Sequence, residues 1–239
     1  MRRSALVLAA LLLTALPADA VVGGREAPAT PWAVALLDAR GNFFCGGALV
    51  GPTKVVTAAH CTIERTMITT RDRLPGELRA VVGRRDLDSA QGRVVRVVEI
   101  RRHPAFTSVA GGDDVATLTL AEPVPHRSVE IGEAVPGGLA TVSGWGRTGE
   151  LAGPSRTLRE VDVPVRSDDE CARVIPGYRA AVMLCAGYPE GGKDACEGDS
   201  GGPLTVGGVL VGVVSYGRGC GRAGEPGVYT RMSHYRSEI

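Results

Sequence analysis

Lysine is almost missing from this 239-residue chain: Lys54 and Lys193 stand against 25 arginines. Charge of one sign is missing too, since 27 basic and 26 acidic residues leave a net charge of +1. That balance excludes the basic footprint of a nucleic-acid binder and the polybasic patch of a membrane-surface protein, and the arginine bias reads as codon usage before function. No Cys-x-x-Cys pair occurs, and His60, His103, His126 and His234 lie far apart without a His-Glu-x-x-His pattern, so a structural zinc site is set aside. There is no repeat, no low-complexity tract, and no apolar run of the ~18 residues that a membrane span requires. What is present is a 44% hydrophobic chain with 33 Gly and 15 Pro, large enough for a full core and neither disordered nor collagenous.

The first twenty residues differ from the rest. Arg2 and Arg3 precede an apolar run from Ala5 to Ala15, followed by Pro17 and Ala18-Asp19-Ala20. This is the pattern of a secretory signal peptide, with cleavage expected before Val21; cleavage nearer Ala18 is the alternative. The mature chain then carries 25 residues of each sign. Export to an oxidising compartment makes three disulfides the natural use of six cysteines, with 15 pairings open to spacing alone.

Past residue 20 the dominant signal is short β segments punctuated by Gly and Pro. Arg79 to Val82, Arg93 to Ile100 and Val209 to Ser215 are valine-rich, and Glu160 to Val163 alternates with period two. The best helical signal is the capping box Ser167-Asp168-Asp169-Glu170, opening a short helix that carries Cys171. These signals imply a mostly β fold, as one large domain or two small barrels, with Pro123 to Pro125 as the seam.

The chemistry lies in three segments. In Gly198-Asp199-Ser200-Gly201-Gly202-Pro203 a serine sits among glycines, which leave its hydroxyl exposed and let backbone N–H groups approach a reacting carbonyl. A serine hydroxyl needs a base and an orienting group. Val55-Val56-Thr57-Ala58-Ala59-His60-Cys61 mounts a histidine at the end of an apolar strand, and Asp113-Asp114-Val115-Ala116 begins another strand with a carboxylate. Singly, each has an ordinary explanation as a turn or a hydrogen-bonded structural residue.

Together, and in this order, they resemble the trypsin and chymotrypsin family of serine proteases. Val21-Val22-Gly23-Gly24, Cys45-Gly46-Gly47, Ser143-Gly144-Trp145-Gly146 and Pro226-Gly227-Val228-Tyr229 extend the likeness from Val21 to about Tyr235. The Gly-x-Ser-x-Gly elbow of α/β-hydrolases also fits Gly198 to Gly202, but those enzymes run serine, acid, histidine, whereas this chain runs His60, Asp114, Ser200.

The resemblance implies an all-β fold of two six-stranded antiparallel Greek-key barrels, about 21–125 and 126–228, with a short C-terminal helix stub over 229–239. It implies a cleft between them and the disulfides Cys45–Cys61, Cys171–Cys185 and Cys196–Cys220, each contributing about 3 kcal/mol by chain entropy. It implies a secreted endopeptidase in which Ser200 attacks, His60 moves the proton, Asp114 orients the imidazole, and the N–H groups of Gly198 and Ser200 form the oxyanion hole. Asp194 takes the floor of the primary pocket and Gly217 and Gly227 its walls, while Ser215 and Tyr216 lie beside the substrate backbone. Ala195, where many trypsins carry Ser, points to Arg over Lys. Glu197, beside the oxyanion hole, is expected to repel acidic substrates, and Gly111 to leave a neighbouring subsite open. Val21 is expected to pair its free amine with Asp199 as an activation switch.

No cofactor and no metal are implied, because Arg84, Gln91 and Val94 occupy positions where the family's calcium loop has acids. The partners implied are polypeptide substrates and protein inhibitors, with no nucleic acid and no membrane anchor, acting on a monomer outside the cell. A catalytically silent binding protein on the same fold is the competing class; such proteins usually lose His or Ser, and this chain keeps both.

Overall fold

A computed structural model describes residues 21–239; the signal-peptide reading concerns residues 1–20 and lies outside the described residues. Six antiparallel strands close into a first barrel in the order Ala33–Leu37, Phe43–Gly51, Lys54–Thr57, Ala116–Leu120, Arg93–Arg102 and Arg79–Val82, the last pairing back on the first. Alternation shows why these segments are strands: in Ala116–Leu120 every second residue is buried. Ala33–Leu37 is different, being buried on both faces. Val34 and Leu36 fill the barrel, while Ala33 and Ala35 pack with Trp145 and Leu158 of the other half.

The second sheet runs Arg159–Pro164, Leu139–Gly144, Pro203–Val206, Val209–Tyr216, Gly227–Arg231 and Met183–Ala186. A bridge between Val165 and Ala186 joins its two ends. Its interior is Val142, Val161, Val163, Leu204, Val211 and Tyr229. The helix Asp168–Val174 begins where the capping box puts it: Ser167 Oγ accepts from Glu170 N at 3.3 Å, and Ser167 N donates to Glu170 Oε2 at 2.9 Å. Such a cap contributes ~1 kcal/mol. The disulfides are Cys45–Cys61, Cys171–Cys185 and Cys196–Cys220.

Both ends of the described chain depart from the expected boundaries. Arg25 and Glu26 pair with Glu160 and Arg159, so the opening residues add a strand to the second sheet, not the first barrel. At the other end residues 229–231 still belong to a strand, and a single 3-10 turn, Met232–Tyr235, succeeds it. The reason is pairing: Tyr229 and Thr230 are held in register with Leu184 and Met183. Among the described residues no helix is long and apolar enough to cross a membrane.

Candidate active site

His60 leaves the first barrel at the end of Lys54–Thr57 on a 3-10 turn, Ala59–Thr62, pinned by the neighbouring Cys45–Cys61 disulfide. Asp114 reaches it from the start of Ala116–Leu120. The carboxylate is buried and grips the histidine twice, Oδ2 lying 2.8 Å from Nδ1 and Oδ1 accepting from the backbone N at 2.9 Å. With the Nδ1 proton directed at a carboxylate, Nε2 keeps its lone pair for the cleft. Two second-barrel hydroxyls complete the mount. Ser215 Oγ donates to Asp114 Oδ2 at 2.6 Å, and Thr230 Oγ1 to the Asp114 carbonyl at 2.7 Å.

Ser200 comes from the turn between the Cys196 disulfide and the strand Pro203–Val206. Its carbonyl accepts from Gly46 N at 2.7 Å, tying the serine turn to the first barrel. Gly201 donates to Val214 and Gly202 to Asp199, each at 2.8 Å. Gly198 has φ +98°, and a Cβ there would stand 3.0 Å from Gly146 Cα, so only glycine suits the position. Among the described residues neither the Gly198 N–H nor the Ser200 N–H donates to the protein, nor does Ser200 Oγ form a hydrogen bond. Two free backbone donors therefore flank one free hydroxyl. Cys45, His60 and Cys61 cluster closely, but both sulfurs are committed to a disulfide and offer no thiolate to a metal.

Beside this group lies a cavity of about 480 Å³ whose lining includes His60, Ser200, Asp194, Ala195, Tyr216 and Gly227. Asp194 is buried in its lining. Oδ2 accepts from Gly221 N at 3.0 Å, while among the described residues Oδ1 has no partner and the nearby Tyr229 hydroxyl is equally unpartnered. Burial pushes the Asp194 carboxyl up to about 7, against the pull of the Gly221 and Ala195 N–H groups. A Cβ on Gly227 would lie 2.7 Å from Oδ1 and 3.1 Å from the Tyr229 hydroxyl, so the absence of a side chain keeps the carboxylate open.

Asp199 is fully buried, with Gly146 N on Oδ1 at 2.8 Å and Cys196 N on Oδ2 at 2.9 Å. Burial raises it to about 6 in spite of those donors. Val21 is buried within the second core, and Val22 bridges to Asp194, so the opening segment passes beside a residue that lines the pocket.

Four features were not visible as parts of the site. The Ser215 hydroxyl, expected only as backbone, supports Asp114 instead; Thr230 does likewise. Tyr229 closes the run Pro226-Gly227-Val228-Tyr229, yet nothing in that run says that its hydroxyl and Asp194 both face the Gly227 position. Glu197 is not an isolated negative charge: Arg147 Nε lies 2.9 Å from its Oε2, which offsets the expected repulsion of acidic substrates. Gly111 ends a 3-10 turn whose Val109 lines the cavity. In the loop expected to lack calcium, Arg84 Nε donates to the Gln91 carbonyl at 2.6 Å and Arg156 pairs with Asp88.

A model of the family described as Trypsin matches residues 21–239. The chain is 42% identical over 222 residues to a protein named Trypsin from Saccharopolyspora erythraea, covering 90% of this chain and 94% of that one. It is 38% identical over 231 residues to a protein named Trypsin from Squalus acanthias, covering 92% and 95%. With Trypsin-3 of Salmo salar the identity is 35% over 230 residues, covering 92% of each.

Proposed function

We propose, from the premise that this chain belongs to the trypsin family and is a trypsin-like serine endopeptidase, that it cuts after Arg, and less readily after Lys, outside the cell. The observation that carries the specificity is the unpartnered Asp194 Oδ1, buried in the lining of the cavity to which His60 and Ser200 also belong. A buried carboxylate with an open lone pair calls for a cation, and a guanidinium meets it with two N–H groups where an ammonium offers a point charge.

In the chemistry proposed, Ser200 Oγ adds to the carbonyl carbon while its proton passes to His60 Nε2. Asp114, facing Nδ1, holds the tautomer and stabilises the imidazolium. The free N–H groups of Gly198 and Ser200 receive the oxyanion; one such donor is worth roughly 100- to 1000-fold in rate. Return of the proton to the leaving amine breaks the C–N bond, and water then repeats the sequence on the acyl-enzyme. Support for these roles is geometric: Asp114 grips His60 through both carboxylate oxygens, and His60 and Ser200 line one cavity from different barrels.

The test is hydrolysis of matched peptide anilides ending in Arg, Lys and Phe. The order Arg, then Lys, with Phe negligible, supports the reading; Lys equal to or above Arg overturns the pocket assignment. Gly227→Ala, which sets a methyl against Asp194, is expected to lower kcat/KM for Arg substrates at least ~100-fold, the scale of losing a buried charged contact. Labelling of Ser200 by a small sulfonyl fluoride should persist in that variant.

A further inference from the structure

Asp113 stands beside Asp114 yet has no part in the chemistry above, and it is held more firmly than a turn residue requires. It is buried, and at φ +56° it occupies the left-handed region that aspartate tolerates better than most side chains. Its carbonyl accepts from Val115 N at 2.9 Å, so the chain turns sharply around Asp114. The carboxylate receives the Tyr235 hydroxyl on Oδ1 at 2.8 Å and Arg179 Nη1 on Oδ2 at 2.9 Å. His103 Nδ1 lies 3.8 Å from Oδ1, and on its far side His103 Nε2 is 3.3 Å from Glu238. Next to it, a Cβ on Gly112 would come within 2.9 Å of Val182 Cγ2, so the turn is pressed against the second barrel.

These anchors come from separate places: Arg179 from the loop before Met183–Ala186, Tyr235 from the last 3-10 turn, His103 from just after Arg93–Arg102. A first-barrel turn is thereby fixed to Arg179 and Tyr235 of the second half, neither of which lines the cleft, while His103 backs it from within its own barrel. Burial alone would raise the Asp113 carboxyl, but the Tyr235 hydroxyl and the Arg179 guanidinium outweigh it and hold the group below the usual range. Two neighbouring carboxylates would both favour a proton on the nearby imidazole. Arg179 compensates one of them.

We propose that Asp113 is a positioning residue: it fixes the turn that aims the Asp114 carboxylate at His60, and Arg179 cancels its charge so that His60 answers to Asp114 alone. This rests on the reading of His60, Asp114 and Ser200 as the reacting group, which fails separately if Ser200→Ala retains activity.

The measurement is the pH dependence of Ser200 labelling by methanesulfonyl fluoride, a reagent with no cation for Asp194, made in a His103→Gln background to remove the imidazole that faces Asp113. Arg179→Gln leaves Asp113 uncompensated, stabilises the imidazolium and moves the acid-side midpoint up by about 0.5 pH unit. Asp113→Asn leaves Arg179 uncompensated and moves it down by a similar amount. A shift of that size corresponds to about 0.7 kcal/mol of differential interaction between the two protonation states. The double variant returns to the parent midpoint. For positioning, Asp113→Ala lowers kcat about tenfold with KM within twofold, and Asp113→Asn, which keeps a polar group toward Tyr235, restores most of it. Equal midpoints, or shifts of the same sign in the two single variants, overturn the proposal, as does Asp113→Ala with kcat within twofold of the parent.

Discussion

Ser215 Oγ and His60 Nδ1 meet the same oxygen, Asp114 Oδ2, at 2.6 and 2.8 Å. The acid is therefore fixed by a hydroxyl from the barrel opposite its own. Removing that hydroxyl leaves Oδ2 with its imidazole partner and Oδ1 with the His60 N–H, so no oxygen is orphaned and the loss falls in the ordinary range of ~0.5–1.5 kcal/mol. Ser215→Ala is expected to lower kcat about 2- to 10-fold. KM should hold, because the backbone of Val209–Tyr216 is unchanged. Steady-state kinetics on an arginine anilide separates the two; an unchanged kcat would show that Asp114 needs no help from Ser215.

Why Ser215 was legible only as backbone is a matter of distance in the chain. His60, Asp114 and Ser200 announce themselves through local glycine, alanine and cysteine patterns, because each sits on a turn whose shape constrains its neighbours. Ser215 lies in a valine-rich strand, where period two says which way it points but not what it meets. Its contact depends on packing a strand 101 residues away. The same holds for Tyr229 near Asp194 and for Arg147 on Glu197. The four segments read as strands, Arg79 to Val82, Arg93 to Ile100, Glu160 to Val163 and Val209 to Ser215, match observed strands to within a residue or two, and the capping box fixed the helix start because that signal is local. The opening strand, Arg25–Glu26, was not, since its partner is Arg159–Pro164.

The loop from Gly83 to Val94 tests the absence of a metal. Its two surface acids are engaged, Asp88 by Arg156 at 2.7 Å and Asp86 by the Asp88 N–H at 2.9 Å. Arg84 crosses the loop to the Gln91 carbonyl and brings a positive charge into it. A chelator is expected to leave Tm unchanged, and added calcium to raise it by less than a degree. A chelator-induced fall in Tm measured by calorimetry would refute this.

Binding of a cation at Asp194 should depend on pH in one direction. The free carboxyl is held up to about 7 by burial, so below that value it carries a proton that a bound benzamidinium must displace. Affinity is then weak at pH 5, strengthens by up to about tenfold per pH unit as the group ionises, and levels off above roughly pH 7. Asp194→Asn should lose both the affinity and the slope. Calorimetric titration between pH 5 and 8 decides it, and a flat Kd across that range would mean the pocket carboxylate is ionised throughout.

The second buried acid bears on how the site is switched on. Asp199 is wholly buried and raised to about 6, with two backbone donors but no ion-pair partner among the described residues. Its neighbours Gly198 and Ser200 carry the two free N–H groups, so a displaced Asp199 would disturb the proposed oxyanion site directly. Val21 is buried in the same half and Val22 bridges to Asp194, so an ammonium created at Val21 would start from a buried position in the half of the molecule that holds Asp199. While Val21 is joined to Ala20 its nitrogen is an amide and carries no charge. Leaving a buried carboxylate without its partner costs about 3 to 5 kcal/mol. The precursor, and an Asp199→Asn variant of the mature chain, are therefore expected to fall at least ~100-fold in kcat/KM. The pattern Ala18-Asp19-Ala20 abuts Val21, so a single cleavage on export is expected to yield active enzyme. N-terminal sequencing of freshly secreted Ser200→Ala protein, which cannot process itself, reads the outcome: a start at Val21 supports activation by export, and a start upstream means that a second protease must act first.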